Sequence, residues 1–373
     1  MKVQIKKQDN YTYEDVIKAA SFISPELLSV ELNEDELLFY FSDSISEDQA
    51  REKTKKMFSR YFNTYSSSDT IQKVEANILK YHNDSEIKDV FVNEDLGRIA
   101  LQGVSVKLFN SIERFINKEF SVFFPESRIY TAVIKKETLQ KVKYFQKSPQ
   151  VSISCSHVIE DISNLDEISK KENIQKNNVS EIDYVLSPAA CFSLFEELEN
   201  KTIKSTASYS FCQNVHRYEG RLSWGMPGRF SSYHVHELVF FGNQEYIDQG
   251  LEKVAKICIK LLQYVGLNGE LKFASDCFVL PNMSLYERFQ KSTHVKRELV
   301  AHYSENGAIA IGSLNLHHGL FSKAFNIKCE NIDNTVSGCF GLGLERIIYC
   351  ILKSYGSIES NWPQKLKDFV NEY

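Results

Sequence analysis

SGCFGLGLERIIYCIL, residues 337–352, joins a glycine-rich run to an amphipathic one. The pattern predicts a strand over Val336–Gly343 that runs directly into a helix over Leu344–Tyr355. Gly338, Gly341 and Gly343 are spaced so that the backbone comes close to a ligand. Arg346 then falls in the first helical turn, where a fixed guanidinium pairs with a phosphate or lies flat on a base. Taken alone, Gly-x-Gly-x-x-Arg also suits an ordinary strand–turn–helix junction with a surface arginine.

A second stretch, FCQNVHRYEGRLSWGMPGRFSSYHVHELVFFG at residues 211–242, reads as two strands joined by a loop holding Gly220, Gly225, Pro227 and Gly228. Arg217 and Glu219 alternate onto one face at the end of the first strand. Arg229 sits where the loop re-enters the second strand, and Tyr233 follows four residues on, on the face of Arg229 and Glu237. Two arginines, a glutamate and an aromatic ring on one hairpin suit the phosphates and base of ATP.

Together the two stretches resemble motif 2 (Arg-x-Glu, loop, Arg-x-x-x-aromatic) and motif 3 (Gly-x-Gly-x-x-Arg) of class II aminoacyl-tRNA synthetases. SPAACFSLFEELENK at residues 187–201 is similar to a segment of the amino acid:[carrier protein] ligases, truncated relatives of the zinc-containing archaeal seryl-tRNA synthetases. THVKRELVAH, AIAIGSLNLHHGLFSKAFNI and ASDCFVLP extend the resemblance over residues 104–355. It implies an α+β fold, with a class II synthetase-like antiparallel sheet flanked by helices. It also implies a zinc ion held by Cys191, Glu237 and Cys339, with a fourth position open to the substrate's α-amino group. His234 and His236 read as ordinary strand residues, and His317 and His318 stay unassigned.

The implied reaction joins an amino-acid carboxylate to the α-phosphate of ATP and expels pyrophosphate. Arg217 and Arg346 are the expected catalytic cations, Arg217 holding the α-phosphate and the carboxylate. Arg229 and Arg346 are expected to hold the γ-phosphate of a bent ATP. Tyr233 and Arg346 would sandwich adenine with Glu219 near its amino group, Glu298 would bind the magnesium ion, and Asn315 would line the amino-acid pocket along with Glu237. The sequence departs from the family in three places: Thr131 stands where motif 1 carries a proline, His216 precedes Arg217 in place of Phe, and Cys277 interrupts ASDCFVLP.

Beyond these motifs the chain is ordinary in composition, with 373 residues, 43% hydrophobic and 25% charged, which excludes extensive disorder. No run is long and apolar enough to span a membrane, residues 1–16 lack the apolar core of a signal peptide, and the eight scattered cysteines form no CxxC pair. These features predict reduced thiols and a cytoplasmic protein. Residues 1–100 carry 13 basic and 19 acidic side chains, a net of −6 that leaves +1 of the chain's −5 to the rest. They are read as a small α+β accessory domain, with helices over 13–22 and 47–65 and strands within 28–41, and residues 101–373 as the catalytic domain. The latter is expected to contain helices over Val104–Phe120, 246–264 and 283–303. Residues 121–124 and 127–134 are expected to be extended, and 163–180 an exposed loop.

A tRNA-binding arm should be basic, so the acidic front favours transfer of a small amino acid to the phosphopantetheine thiol of a carrier protein, with tRNA not expected as a partner. The alternatives are a seryl-type aminoacyl-tRNA synthetase and a non-catalytic synthetase paralogue. A homodimer through the Val104–Phe120 helix is expected from the family architecture.

Overall fold

The computed structural model describes the chain apart from residues 7–12, 34, 62–68, 94 and 275–293. Eight strands form the main sheet, in the order Thr70–Val74, Gly269–Phe273, Lys296–His302, Ala308–His318, Val336–Gly343, Ser232–Gly242, Ala207–His216 and Glu126–Ser127. All neighbours run antiparallel except the last pair.

The two faces of this sheet are used differently. Phe340 and His236 pack against Phe120 of the Val104–Phe120 helix. Phe240 and Gly338 receive the helix Gln244–Val265, through Gly250 and through Ile247 and Leu251 respectively. That helix begins where the Asn243 side chain caps the Tyr246 amide at 2.9 Å and ends at Gly266, whose φ of 73° is the left-handed cap that glycine adopts readily. The buried stripe of Val104–Phe120, which includes Leu108, Ile112, Phe115 and Ile116, explains its helical spacing in the sequence. The opposite face of the sheet is left for the polar residues of the two motifs.

A smaller unit precedes the sheet. Strands Lys2–Lys6, Glu36–Phe41 and Leu27–Asn33 pair antiparallel with Glu36–Phe41 central, beside the helices Tyr13–Ala20 and Glu47–Tyr61. Val16, Ile17, Leu27, Leu37, Phe39 and Phe41 belong to a core of their own. Residues 70–101, which the charge count groups with the front, lie elsewhere: Thr70–Val74 is an edge strand of the main sheet, and Phe91 packs on Phe230 and Tyr349 in the larger core.

Three expectations about local structure change. The charged run 163–180 contains a helix, Ile162–Lys171, whose first amides are capped by Asp161; none of its residues is buried, although Ile162, Leu165 and Ile168 recur at helical spacing. Residues 121–124 form a 3-10 turn, and 127–134 holds only the starts and ends of short strands. The described part of 283–303 is the strand Lys296–His302, paired on both sides. Its residues suit a helix, and the ladder on either edge overrides that preference. The rest of that stretch, with Cys277, lies outside the described residues.

Candidate active site

Cross-strand register assembles the site. Glu298 lies opposite Ser313, Ser313 opposite Gly341, and Gly341 opposite Glu237, so one row crosses four strands. Two residues along, Lys296, Asn315 and Cys339 form the next row on the same face. Cys191 arrives from outside the sheet as the first residue of the helix Cys191–Glu197. The turn before it is tied to the strand Ala207–His216: His216 N–H donates to Ser187 O at 2.9 Å, and Arg217 Nε donates to Pro188 O at 2.7 Å.

The Cys191 and Cys339 sulfurs and a Glu237 carboxylate oxygen lie within 4.8 Å of one another, and all three residues are buried. A Cβ at Gly341 would stand 2.7 Å from Glu237 Oε2, so this glycine clears the space the carboxylate occupies. Gly343 does the same for Tyr233 and Arg346, whereas the room at Gly338 is taken from the other face by Ile247. Only two of the three glycines therefore open the site.

Two of these groups, Glu237 and Cys339, are held away from their charged forms. Burial pushes the Glu237 carboxyl up to about 7, against the opposing pull of a hydrogen bond from Cys339 and the charge of Arg217. The hydrogen bond with Cys191, then burial, then Glu237 push the Cys339 thiol well up. A divalent cation at the centre relieves all of these at once, and a donor set of two thiolates and one carboxylate suits zinc with an open position.

The arginines gather at the other end of the same face. Glu219 Oε2 lies 3.7 Å from Arg229 Nη1, and Glu219 Oε1 lies 3.7 Å from Arg346 Nη2. The Arg346 guanidinium stacks over the Tyr233 ring with its Cζ 4.6 Å from the centroid, and Nη1 donates to Ala310 O at 3.2 Å. Arg346 Nε is buried with no hydrogen-bond partner among the described residues, a cationic donor free for an anion. Tyr233 and Arg346 touch directly. An adenine between them needs two stacking distances of about 3.5–4.0 Å each, so the pair must part to admit a base. Glu298 pairs with Lys296 at 3.0 Å.

Among the histidines, His234 and His236 point to the helical face. His234 Nδ1 meets Glu345 Oε1 at 2.7 Å, and His236 Nδ1 meets Glu113 Oε1 at 2.6 Å while its Nε2 meets Ser210 Oγ at 2.9 Å. His317, unassigned from the sequence, belongs to the site. Its Nε2 lies 3.4 Å from Cys339 Sγ, its Nδ1 lies 3.2 Å from Ser337 Oγ, and Phe195 and Phe321 enclose the ring. Burial pushes its pKa down to about 3, so it is neutral. If Ser337 donates to Nδ1, Nε2–H is directed at the Cys339 sulfur. Asn315 Nδ2 approaches the same sulfur at 3.8 Å. The ladder shifts between Leu316 and His318, which hid the facing of His317 from any alternation count.

No family model matches the chain. It is 24% identical over 290 residues to the type-2 serine–tRNA ligase of Methanocaldococcus jannaschii, covering 71% of this chain and 54% of that protein. It is 23% identical over 209 residues to that of Methanopyrus kandleri. The chain thus spans about half the length of the curated relatives it matches. Among solved structures it is similar to the M. kandleri seryl-tRNA synthetase in complex with A. aeolicus tRNASec, with a TM-score of 0.72, 17% identity, and coverage of 100% of this chain and 77% of that one. It is also similar to the cytoplasmic serine–tRNA ligase of Naegleria fowleri in complex with AMP, with a TM-score of 0.61, 11% identity, and coverage of 88% and 72%.

The exclusion of tRNA drawn from net charge does not stand. The similarity to a synthetase solved with tRNA covers the whole of this chain, the acidic front included, and a formal count over a hundred residues does not describe the charge of any one face. The relatives found are tRNA ligases, and none of those named here is a carrier-protein ligase. The chain has the class II aminoacyl-tRNA synthetase fold, and in sequence it is related to the type-2 seryl-tRNA synthetases.

Proposed function

We propose that the chain activates a small α-amino acid, serine first among candidates, as its adenylate and passes the aminoacyl group to a tRNA hydroxyl. The observation that carries this reading is the arginine end of the site, with Glu219 between Arg229 and Arg346 and Arg346 stacked on Tyr233. The relatives named above, which are tRNA ligases, support the choice of acceptor.

A carboxylate oxygen of the amino acid attacks the α-phosphorus of ATP, the bond to the β-phosphate oxygen breaks, and pyrophosphate leaves. Arg217, whose charge acts on Glu237, holds the α-phosphate and the incoming carboxylate. Arg229 and Arg346 exchange Glu219 for the outer phosphates, Arg346 and Tyr233 part around adenine, and Glu219 turns to the adenine amino group. The negative charge that develops is met by cations already in place. Glu298 serves the magnesium–ATP complex after releasing Lys296. Cys191, Glu237 and Cys339 hold zinc, which when bound supplies a Lewis-acidic position for the α-amino group. Asn315 lines that pocket. The tRNA hydroxyl then attacks the acyl carbon and AMP departs.

The test is amino-acid-dependent exchange of pyrophosphate into ATP across the twenty amino acids, followed by transfer to tRNA and to a holo-carrier protein. Exchange with serine or a similarly small amino acid, and an ester on tRNA, is the expected result. Absence of exchange with every amino acid overturns the activation reading. Exchange followed by a thioester on the carrier and nothing on tRNA overturns the acceptor.

The active form is a homodimer built on the Val104–Phe120 helix and the segment after it. Phe124 and Ile129 there are 90% and 96% exposed in one chain, apolar surface that a second copy would cover. Light scattering at micromolar concentration should give twice the chain mass.

A further inference from the structure

The loop between Arg217 and Arg229 does not stand free. Its tip lies against the small N-terminal unit, and three kinds of contact hold it there. Arg221 Nη2 donates to the main-chain oxygens of Ser24, at 3.3 Å, of Pro25, at 3.1 Å, and of Leu27. Leu222 and Met226 pack against the apolar core of that unit. Tyr218 meets Phe22 edge to face, with ring centroids 6.4 Å apart. The backbone itself is close: a Cβ at Gly220 would stand 2.4 Å from Ser21 Cβ, and Gly220 has a φ of 88°. Residues on either side of this tip are the ones that face the site, Glu219 toward Arg229 and Arg346, and Arg217 toward Pro188.

We propose that residues 2–61 are the seat of this loop, and that Arg221 is a positioning residue which, by fixing the loop to the main chain of residues 24–27, presets Glu219 and Arg229 for ATP. This rests on the reading of the arginine end as a nucleotide site. A loop of this length held only at its ends samples many conformations, and ordering it when ATP binds would subtract from affinity. Anchoring at the middle removes that cost before ATP arrives. The N-terminal unit thereby acts on the first half-reaction, whatever it also does for the acceptor.

The experiment uses the full chain as wild type, Arg221→Ala and Arg221→Lys, with two readouts. Hydrogen–deuterium exchange over residues 217–229 and 20–27 reports the docking itself. Initial rates of pyrophosphate exchange against ATP and against amino acid report its consequence. Arg221→Ala should speed deuterium uptake in both segments together. It should raise the KM for ATP about tenfold or more, the scale of one to two hydrogen bonds from a charged group, while kcat at saturating ATP and the amino-acid KM stay within twofold. Arg221→Lys keeps the charge but loses the planar fork, and should fall between. Wild-type uptake in both segments of Arg221→Ala overturns the docking. Increased uptake with an unchanged ATP KM overturns its role in presetting the site. A wild-type chain that exchanges no pyrophosphate sinks the nucleotide reading, and the uptake data still decide the docking.

Discussion

The strand Ser232–Gly242 puts similar residue types to opposite uses on its two faces. On one, His234 and His236 each meet a carboxylate at 2.7 Å or less, and His236 also meets Ser210. Helices pack on that face, burying His236 and leaving His234 part-exposed, and these polar groups have partners there. On the other, Tyr233 and Glu237 point to a region where burial pushes Glu237 up to about 7 and where Arg346 Nε has no partner among the described residues. A buried polar group with its partners in place contributes to stability, whereas one held without them is matched to something that arrives later.

The comparison can be broken most sharply at the cysteine cluster. Metal analysis of Cys339→Ser and Cys191→Ser should fall from one zinc per chain to essentially none, and full retention by both removes the metal from this face. Arg346→Ala should lower the rate of pyrophosphate exchange by about 10²–10³, the effect of deleting a cation aimed at developing charge, with little change in melting temperature. A near-wild-type rate would make Arg346 structural, like the residues behind it. His317→Ala removes the ring whose Nε2 lies 3.4 Å from Cys339 Sγ, and zinc affinity measured by competition with a chelator should drop about 10–100-fold; unchanged affinity would place His317 among packing residues. On the helical face the signature should reverse. His236→Ala strips Glu113 and Ser210 of a partner and should cost about 1–3 kcal/mol in denaturant unfolding, with exchange per folded molecule within twofold of wild type. Loss of activity without loss of stability would mean that the two faces are not separate.

How much of this was legible depended on whether a residue's facing could be counted. The ladder that Val336–Gly343 makes with Ser232–Gly242 and the helix Leu344–Tyr355 are regular, and the sequence pattern matches both spans. Glu237 and Cys339 were singled out by resemblance, and the structure brings them near Cys191. His317 lies at a ladder irregularity, where alternation gives no answer. Gly338 was grouped with Gly341 and Gly343 because spacing along the chain does not say which face of a glycine is empty. The helix Ile162–Lys171 carries two sequence signals, the Asp161 cap and the helical spacing of Ile162, Leu165 and Ile168, within a run whose charge reads as loop. The docking of the loop on residues 20–27 has no sequence signature. Its acceptors are carbonyl oxygens, which every residue has.

That last feature makes the docking unequal in its tolerance of mutation. Ser24, Pro25 and Leu27 contribute main-chain oxygens to Arg221, so substitutions there that keep the chain trace leave all three acceptors where they are. On the loop side those three hydrogen bonds depend on one guanidinium, beside a glycine that admits no side chain. The hydrogen-bonded part of the docking therefore tolerates new side chains at 24, 25 and 27, while a single change at Arg221 removes all three of its bonds and leaves only the contacts of Phe22, Leu222 and Met226.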